Sequence, residues 1–300
     1  MTGVIVKAPA KVNLALHVTA RRPDGYHEIE TLAVFAETGD RVTANLAVED
    51  AFRVTGPFGK SLAEEPGNLV LRARDALREA AQAVGLSAPA VALHLGKNLP
   101  VASGIGGGSA DAAAALIALS HVWALPAATD LSRIALALGA DVPMCLSSRP
   151  LFAAGVGEHI RPLQLPVQLH AVLVNPGVAV ATREVFAALK NRDNPAMTPI
   201  PPQGISVEWL AGQRNDLQEP AARSFPVIGE TLAEIAACER VRLARMSGSG
   251  ATCFGLFDDG ESAQAAAAAI SRRHAGWWCV ATRLLAGDYP DRIMHEGDRP

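Results

Sequence analysis

The sequence predicts an α+β fold with two domains, and three observations lead to that class. The chain has 300 residues, more than a single domain usually holds. Strand patterns fill its first 60 residues, and helix and strand patterns alternate after them. The pattern changes again after residues 161–166, which places a domain boundary near residue 163. We therefore expect domains over 1–162 and 163–286, followed by a polar, frayed tail over 287–300.

Composition and charge narrow the class of protein. With 49% hydrophobic residues the chain can bury a large core, and its formal net charge of −3 gives no reason to expect nucleic acid as a partner. The four cysteines are widely spaced and form no CxxC pair, which argues against a disulfide framework and a zinc site. We expect neither a signal peptide nor a membrane span, because no apolar run has the required length. The expected protein is cytoplasmic, without a membrane partner, and a monomer or weak homodimer.

Hydrophobic patterning predicts the elements of the N-terminal half. Strands are expected at 4–6, 12–18, 29–35, 41–48 and 91–95, with turn-like breaks at 21–25 and 38–40. Helices are expected at 68–84, 112–119 and 130–139. Asn68 can cap the first of these helices, and Gly85 can end it. Asp141 then follows the end of the third helix and is expected in a loop.

The C-terminal half has a recognisable order of elements. Strands are expected at 169–174, 241–246, 252–257 and 277–284, and helices at 183–190, 226–237 and 262–274. A proline-rich loop is expected at 191–204. Apart from one extra helix, the order is strand, helix, strand, strand, helix, strand. This order is typical of a ferredoxin-like domain.

The strongest functional signal is a glycine-rich stretch, residues 100–111, which we call the glycine loop. Four glycines and two serines fall between Ser103 and Ser109, and an alanine-rich helix follows directly. Glycine lets the backbone bend tightly around a ligand, and the start of a helix offers free N–H groups and a positive dipole. The loop is therefore expected to bind the phosphates of a nucleotide. A flexible linker is the alternative.

The glycine loop matches neither of two common nucleotide sites. Ser109 and Ala110 stand where a P-loop needs its lysine and its serine or threonine. A Rossmann site needs an acidic residue about 20 positions further on, at the end of a second strand, and none is present there. The positive charge that offsets the phosphates must therefore come from another part of the chain.

Three separate segments resemble the motifs of the GHMP kinase family. They are Pro9–Asn13, the glycine loop, and Met246–Thr252, which in isolation reads as a glycine-bearing hairpin. Further segments resemble the branch of the family that acts on cytidyl-methylerythritol diphosphate: Arg22–His27, Gly139–Pro143 and Arg214–Leu217. The resemblance implies ATP-dependent phosphorylation of the 2-hydroxyl of the erythritol unit, in isoprenoid precursor biosynthesis. It also implies an N-terminal domain similar to domain 2 of ribosomal protein S5, the ferredoxin-like C-terminal domain, and ATP with Mg²⁺ as cofactors.

The resemblance assigns two catalytic residues. Asp141 is expected to be the general base that accepts the proton of the substrate hydroxyl. Lys11 is expected to keep that carboxylate ionised and to offset charge on the phosphoryl group. Without the resemblance, Asp141 would read as a surface acid after a helix, and Lys11 as a solvated lysine on a strand.

The resemblance also assigns residues to ATP. The glycine loop is expected to bind phosphates through the N–H groups of residues 104–110 and the hydroxyls of Ser103 and Ser109. The full set expected around ATP is Asn68, Lys97, Pro100, Val101, Ala102, Ser103, Gly104, Ile105, Gly106, Gly107, Gly108, Ser109 and Ala110. For Asn68 a plain helix cap is the alternative. No carboxylate pair has metal-ligand spacing, so no protein ligand is assigned to Mg²⁺, and Ser109 is the nearest candidate.

Five residues are expected to bind the small-molecule substrate. Tyr26, His27 and Phe186 would recognise the cytidine end by stacking and hydrogen bonding. Asn13 and Thr182 would donate or accept hydrogen bonds near the erythritol and diphosphate. Two rival functions stay open: a kinase of the same family acting on homoserine or a mevalonate-type alcohol, and a non-catalytic nucleotide- or RNA-binding protein.

Overall fold

The computed structural model of the chain describes residues 3–60, 62 and 67–295. Within these ranges the strands are β1 (Val4–Arg21), β2 (His27–Leu46), β3 (Ala51–Thr55), β4 (Val91–Gly96), β5 (Leu151–Gly155), β6 (His159–Pro162), β7 (Leu169–Asn175), β8 (Val241–Met246), β9 (Cys253–Phe257), β10 (Trp278–Leu284) and β11 (Ile293–His295). The helices are α1 (Leu69–Ala83), α2 (Gly107–Val122), α3 (Leu131–Leu138), α4 (Val142–Ser147), α5 (Thr182–Ala187), α6 (Val207–Ala211), α7 (Gln218–Ser224), α8 (Pro226–Ala236) and α9 (Gly260–Arg273).

The N-terminal sheet is built on the antiparallel pair of β1 and β2. β2 is long enough to pair with β4 along one part of its other edge and with β5 along another part. β3 adds to β4 in parallel, and β6 adds to β5 in antiparallel orientation. In β4 the side chains of Val91, Leu93 and Leu95 are buried and alternate with partly buried neighbours, which is the period of a strand covered mainly on one face.

Helix α2 packs against β1 and β2 and forms the centre of the N-terminal core. Its alanines from Ala112 to Ala115 are fully buried, as are Leu116 and Leu119. A helix that is apolar on all sides is stable where protein surrounds it, and the small alanine side chains let it lie close to the sheet. α1 packs beside it, and its predicted cap is confirmed, because the Asn68 side chain accepts the Val70 amide at 2.9 Å.

The C-terminal sheet has the order β10-β7-β9-β8, and each neighbouring pair is antiparallel. α8 and α9 pack against it. This is the strand order of a ferredoxin-like domain, so that prediction is confirmed. The sequence does not predict α6 and α7, which have only five and seven residues. Across the described residues, no helix combines the length and the hydropathy that crossing a bilayer requires.

The break expected at residues 38–40 is absent. β2 continues through Gly39, and a Cβ there would lie only 2.4 Å from the carbonyl oxygen of Ala8 on β1. The register shifts beside this contact, between Pro9 and Lys11. Glycine marks a close approach of two strands at this point and not a turn. The four short strands predicted at 4–6, 12–18, 29–35 and 41–48 are therefore parts of two long strands, β1 and β2.

The sequence also does not predict the three short strands β3, β5 and β6. β3 has only five residues, with Phe52 and Val54 partly buried and none fully buried, and β6 has exposed or half-exposed side chains throughout, so neither has the pattern of a buried strand. β5 alternates in burial, but all five of its residues are apolar, so its sequence shows no alternation. β5 pairs with an edge of β2, β3 with an edge of β4, and β6 with β5, so these strands depend on the assembled sheet.

The expectation of a frayed tail over 287–300 is wrong for its described part. β11 pairs with β1 in antiparallel orientation. The Tyr289 hydroxyl donates to the Glu37 carbonyl at 2.8 Å. These polar residues are held by hydrogen bonds to distant parts of the chain, which hydropathy does not register. Residues 296–300 lie outside the described part of the chain.

The domain boundary near residue 163 stays a prediction. β6 ends at Pro162 and β7 begins at Leu169, so the chain changes sheet in this segment. β10 and β11 nevertheless return to the N-terminal strands, since Leu284 of β10 lies opposite Ala36 of β2 and β11 pairs with β1. The two halves therefore share one continuous set of backbone contacts.

Candidate active site

A cleft of about 1230 Å³ lies where the two halves meet. The predicted site residues that border it are Lys11, Asn13, Tyr26, His27, Asn68, Lys97, Pro100, Val101, Ala102, Ser103, Gly104, Gly106, Gly107, Gly108, Ser109, Asp141, Thr182 and Phe186. Ile105 and Ala110 are the exceptions, because their side chains are fully buried. The Ala110 amide also donates to the Gly106 carbonyl at 2.8 Å, so it is not free to bind a phosphate as expected.

The structure brings Lys11 and Asp141 into direct contact. The Lys11 ammonium lies 2.8 Å from the Asp141 carboxylate, and their side chains are 5% and 43% exposed. The cation is thus buried in the cleft wall while the carboxylate faces the open space. The Lys11 side chain runs alongside Gly106, where a Cβ would lie 3.2 Å from it and the backbone φ is +64°. Both facts favour glycine at this position.

Asp141 lies in the short turn between α3 and α4, so its expected position in a loop just past a helix end is confirmed. It directly precedes α4, a helix of six residues that begins at Val142. Pro143 in the first turn of α4 is a signal that could have found this helix, because proline is favoured at helix starts. The short helix after Gly139 turns the chain so that the carboxylate meets Lys11.

The glycine loop directs its carbonyl oxygens and its amides to different partners. Four successive carbonyls accept hydrogen bonds from other segments: Ala102 from the Val180 amide at 3.5 Å, Ser103 from the Thr252 amide at 3.0 Å, Gly104 from the Ser247 hydroxyl at 3.0 Å, and Ile105 from the Lys11 amide at 2.9 Å. The amides of Gly107, Gly108 and Ser109, at the start of α2, have no acceptor among the described residues.

This arrangement fits a nucleoside triphosphate. Free amides at the N-terminus of a helix of 16 residues form an anion site, and no side chain of the helix cap competes for them. The Ser103 hydroxyl, expected to bind phosphate, donates to the Pro100 carbonyl at 2.7 Å. Within the described ranges, no group of three or more histidine, cysteine, aspartate or glutamate side chains converges on a metal position.

A buried ion cluster lies beneath the glycine loop, formed by Lys97, Asp40 and Asp111. The Lys97 ammonium donates to Asp40 at 2.6 Å and to Asp111 at 2.7 Å, and all three side chains are at most 4% exposed. Asp40 also accepts the amides of Asn98 and Leu99 at 2.5 and 2.8 Å. The Lys97 ammonium is therefore paired with two carboxylates inside the protein, and contact of Lys97 with ATP stays a prediction. Sequence reasoning missed both carboxylates: Asp40 belongs to no recognised motif, and Asp111 is the last residue of the glycine loop but receives no role there.

The two carboxylates of the buried cluster differ in their hydrogen bonds. Asp40 accepts three donors, whereas the Oδ1 atom of Asp111 has no partner in the described chain. Burial raises the pKa of Asp111, the Lys97 ammonium opposes that shift, and the Asp40 carboxylate adds to it. The pKa of Asp111 is thus raised, and this carboxyl group takes up a proton at a higher pH than an ordinary aspartate does.

Aromatic side chains lie at the other end of the cleft. The His27 ring stacks on Phe186 with centroids 4.9 Å apart, and the Tyr26 side chain beside it is 66% exposed. Burial lowers the pKa of His27, and the nearby Arg192 and Arg21 lower it further, so the ring is neutral at neutral pH. A neutral imidazole can donate one hydrogen bond and accept another, as a pyrimidine edge requires.

Three arginines border the same end of the cleft and were missed by sequence reasoning. Arg21, Arg183 and Arg192 form no ion pair with any described carboxylate. The Nε atom of Arg192 is buried and has no hydrogen-bond partner among the described residues. Unpaired guanidinium groups in a cleft are suited to an anionic group of a ligand.

The other predicted residues have specific partners. Asn13 donates to the Thr31 hydroxyl at 2.7 Å, and the Thr182 hydroxyl lies 2.9 Å from that of Ser249. Asn68 uses its side-chain oxygen as the helix cap, which leaves its amide nitrogen available at the cleft. The cap is therefore present, and contact with the base stays a prediction.

Comparisons with known proteins agree with this geometry. Residues 68–149 match the family described as GHMP kinases N terminal domain, and residues 204–276 match GHMP kinases C terminal. A 4-diphosphocytidyl-2-C-methyl-D-erythritol kinase of Rhizobium etli is 52% identical over 291 residues, which are 95% of this chain and 96% of the relative. A crystal structure of 4-(cytidine 5'-diphospho)-2C-methyl-D-erythritol kinase has a TM-score of 0.78 at 36% identity, over 94% of this chain and all of that chain (100%). A homoserine kinase from Cytophaga hutchinsonii, with a TM-score of 0.68 at 17% identity over 98% of both chains, shares the fold alone.

Replacing Lys97 by methionine leaves two buried carboxylates without their cation. Removing one partner of a buried ion pair costs about 3–5 kcal/mol, so we expect Lys97→Met to lower the free energy of unfolding by that amount. Urea denaturation measures the change, and Lys190→Met, at an exposed position, is the matched control. A loss no larger than that of the control would show that the cluster does not hold this part of the fold.

Replacing Asp111 by asparagine removes the carboxyl group whose pKa is raised by folding. In the unfolded chain this group titrates at about pH 4, so the wild type binds an extra proton on folding above that pH. The free energy of unfolding of the wild type should therefore fall, relative to that of Asp111→Asn, by up to about 1.4 kcal/mol per pH unit as the pH rises from about 4 to the folded-state pKa of about 8. Urea denaturation of both proteins at a series of pH values measures the difference, and parallel curves contradict the assignment.

Proposed function

The chain belongs to the GHMP kinase family, and from that premise we propose that it transfers the γ-phosphoryl group of ATP to the 2-hydroxyl of 4-diphosphocytidyl-2-C-methyl-D-erythritol. The products are the 2-phosphate and ADP, in the methylerythritol phosphate route to isoprenoid precursors. The observation that carries the proposal is the contact between Lys11 and Asp141, in the cleft that the free amides of α2 also border. The fold is the two-domain GHMP kinase fold, as the resemblance implies.

The catalytic pair acts on the acceptor hydroxyl. The half-exposed Asp141 carboxylate accepts the proton of the 2-hydroxyl as the oxygen attacks the γ-phosphorus. The Lys11 ammonium holds the carboxylate in place and offsets negative charge on the phosphoryl group. Its burial increases this effect, because water screens it less.

The phosphates of ATP bind at the start of α2. The amides of Gly107, Gly108 and Ser109 donate to them, and the bonded carbonyls of the loop keep these amides aimed at the cleft. Mg²⁺ bound with the nucleotide neutralises phosphate charge, and the Ser109 hydroxyl is the nearest candidate ligand in this chain. Asn68 is assigned to the adenine end through its unbonded amide nitrogen.

The nucleoside end of the substrate binds between the hairpin after β1 and α5. Tyr26 and Phe186 stack on the cytosine ring, and neutral His27 exchanges hydrogen bonds with its polar edge. Arg183 and Arg192 supply positive charge to the diphosphate. A homoserine or mevalonate-type acceptor has no group that uses this aromatic end, which favours the cytidyl substrate.

Location and assembly remain part of the proposal. The four cysteines are all free, which is typical of a reducing compartment, and supports a cytoplasmic protein. We propose a monomer or a weak homodimer, acting on small molecules only.

The decisive experiment adds the purified protein to ATP, Mg²⁺ and the cytidyl substrate and measures ADP. We expect ADP and the phosphorylated product in equal amounts. Asp141→Asn should lower kcat by about 10²–10⁴-fold, the usual contribution of a general base, with ATP binding retained. Phosphorylation of homoserine or mevalonate in place of the cytidyl substrate would overturn the substrate assignment, and no ADP with any acceptor would revive the binding-protein alternative.

Replacing Arg192 by glutamine tests the charge at the diphosphate. A hydrogen bond to a charged group contributes about 1.5–3 kcal/mol, so the KM for the cytidyl substrate should rise about tenfold or more, with KM for ATP unchanged. Arg272→Gln, an exposed arginine on α9, is the matched control. Equal changes in the two KM values contradict a specific role at the diphosphate.

A further inference from the structure

The described part of the C-terminal tail contacts both elements that carry the catalytic pair. β11 pairs with β1, the strand of Lys11. The residue just before β11, Arg292, reaches from there to the end of α4, the helix that Asp141 precedes. No motif and no apolar pattern marks this segment in the sequence.

The guanidinium group of Arg292 donates only to backbone carbonyls. Nη1 donates to Leu146 at 2.5 Å, Nη2 to Cys145 at 2.7 Å, and Nε to Lys7 at 3.3 Å. The Arg292 carbonyl in turn accepts the Lys7 amide at 2.9 Å. Arg292 forms no ion pair with a described carboxylate, and burial lowers its pKa to about 10, so it stays a cation at neutral pH.

Two of these three carbonyls, those of Cys145 and Leu146, belong to the last turn of α4. A helix of six residues has few internal hydrogen bonds, and its last carbonyls lack donor partners within the helix. A cation at this end donates to them, beside the Ser148 hydroxyl that donates to the Cys145 carbonyl at 2.8 Å, and interacts favourably with the helix dipole. The link to the site is short, because the Cys145 amide donates to the Asp141 carbonyl at 3.2 Å while the Cys145 carbonyl accepts Arg292.

We propose that Arg292 is a positioning residue for phosphoryl transfer, which sets the distance between the Asp141 carboxylate and the Lys11 ammonium by tying α4 to β1. This inference rests on the proposed function, in which those two groups act together. Arg292 touches neither of them and does not border the cleft, so it acts only through the two backbones it joins. The binding of ATP does not depend on it, because the glycine loop has its own bonds.

The test compares Arg292→Gln and Arg292→Lys with the wild type. Loss of the three guanidinium hydrogen bonds of Arg292 should lower kcat about 10- to 100-fold, which is the effect of misplacing a catalytic group by about 1 Å. Both KM values should stay within about twofold of the wild type. Lysine keeps the charge but reaches fewer carbonyls, so its kcat should lie between those of glutamine and the wild type. Asp288→Asn is the matched control, because it removes an exposed ion pair between the same segments, Arg149 to Asp288 at 3.3 Å, and should leave kcat unchanged.

A purely structural role of Arg292 is distinguished by expressing kcat per folded protein molecule that binds ATP. Calorimetric titration with ATP gives the number of sites, and kcat is expressed per site at a temperature where circular dichroism shows each variant folded. The proposal requires a lower kcat per site, and an unchanged kcat per site in either variant overturns it. If the glutamine variant does not fold, the lysine variant alone decides between these outcomes.

Failure of this inference is separate from failure of the proposed function. Wild-type turnover with unchanged turnover per site in the Arg292 variants removes the inference alone. Absence of wild-type turnover with the cytidyl substrate removes the proposed function, and the inference with it.

Discussion

One buried ammonium, that of Lys97, determines how the N-terminal half presents its glycine loop. It joins the end of β4 to a carboxylate on β2 and to another on α2, and all three groups are sealed from water. Charges in such an environment are stable only when they are paired, so these three elements cannot shift independently. Asp40 transmits the constraint to the start of the loop by accepting the amides of Asn98 and Leu99. The free amides of α2 therefore occupy a fixed place relative to Lys11.

Local patterns predict those elements whose stability is local. The ferredoxin-like order, the Asn68 cap and the glycine loop can all be inferred, because caps, turns and periodicity depend on neighbours in sequence. The break expected at 38–40 fails for the opposite reason, since Gly39 serves a contact with β1 that only the folded sheet creates. β11 and the residues before it are polar and read as a tail, yet their partners are more than a hundred residues away in the chain, as for Arg292 and Leu146.

The candidate site divides in the same way. Motif segments identify Lys11, Asp141 and the glycine loop, whereas the arginines at the nucleoside end belong to no motif and are recognised only when the fold brings them to one cleft. The structure of the segment 246–252 is consistent with both of its interpretations, as a glycine-bearing hairpin and as a family motif. It is the connection between β8 and β9, as a hairpin pattern predicts, and its Ser247 hydroxyl also bonds the glycine loop while accepting the Asn13 amide.

The bonds from the loop carbonyls have a mechanical consequence. Ser103 and Gly104 are held by Thr252 and Ser247, which belong to the C-terminal half of the chain, so the glycine loop is hydrogen-bonded across the boundary between the two halves. Moving the two halves apart would break these hydrogen bonds and release the glycine loop from the C-terminal half. If these bonds are kept, the cleft opens only by movement of its rim, while the glycine loop stays in place on its floor.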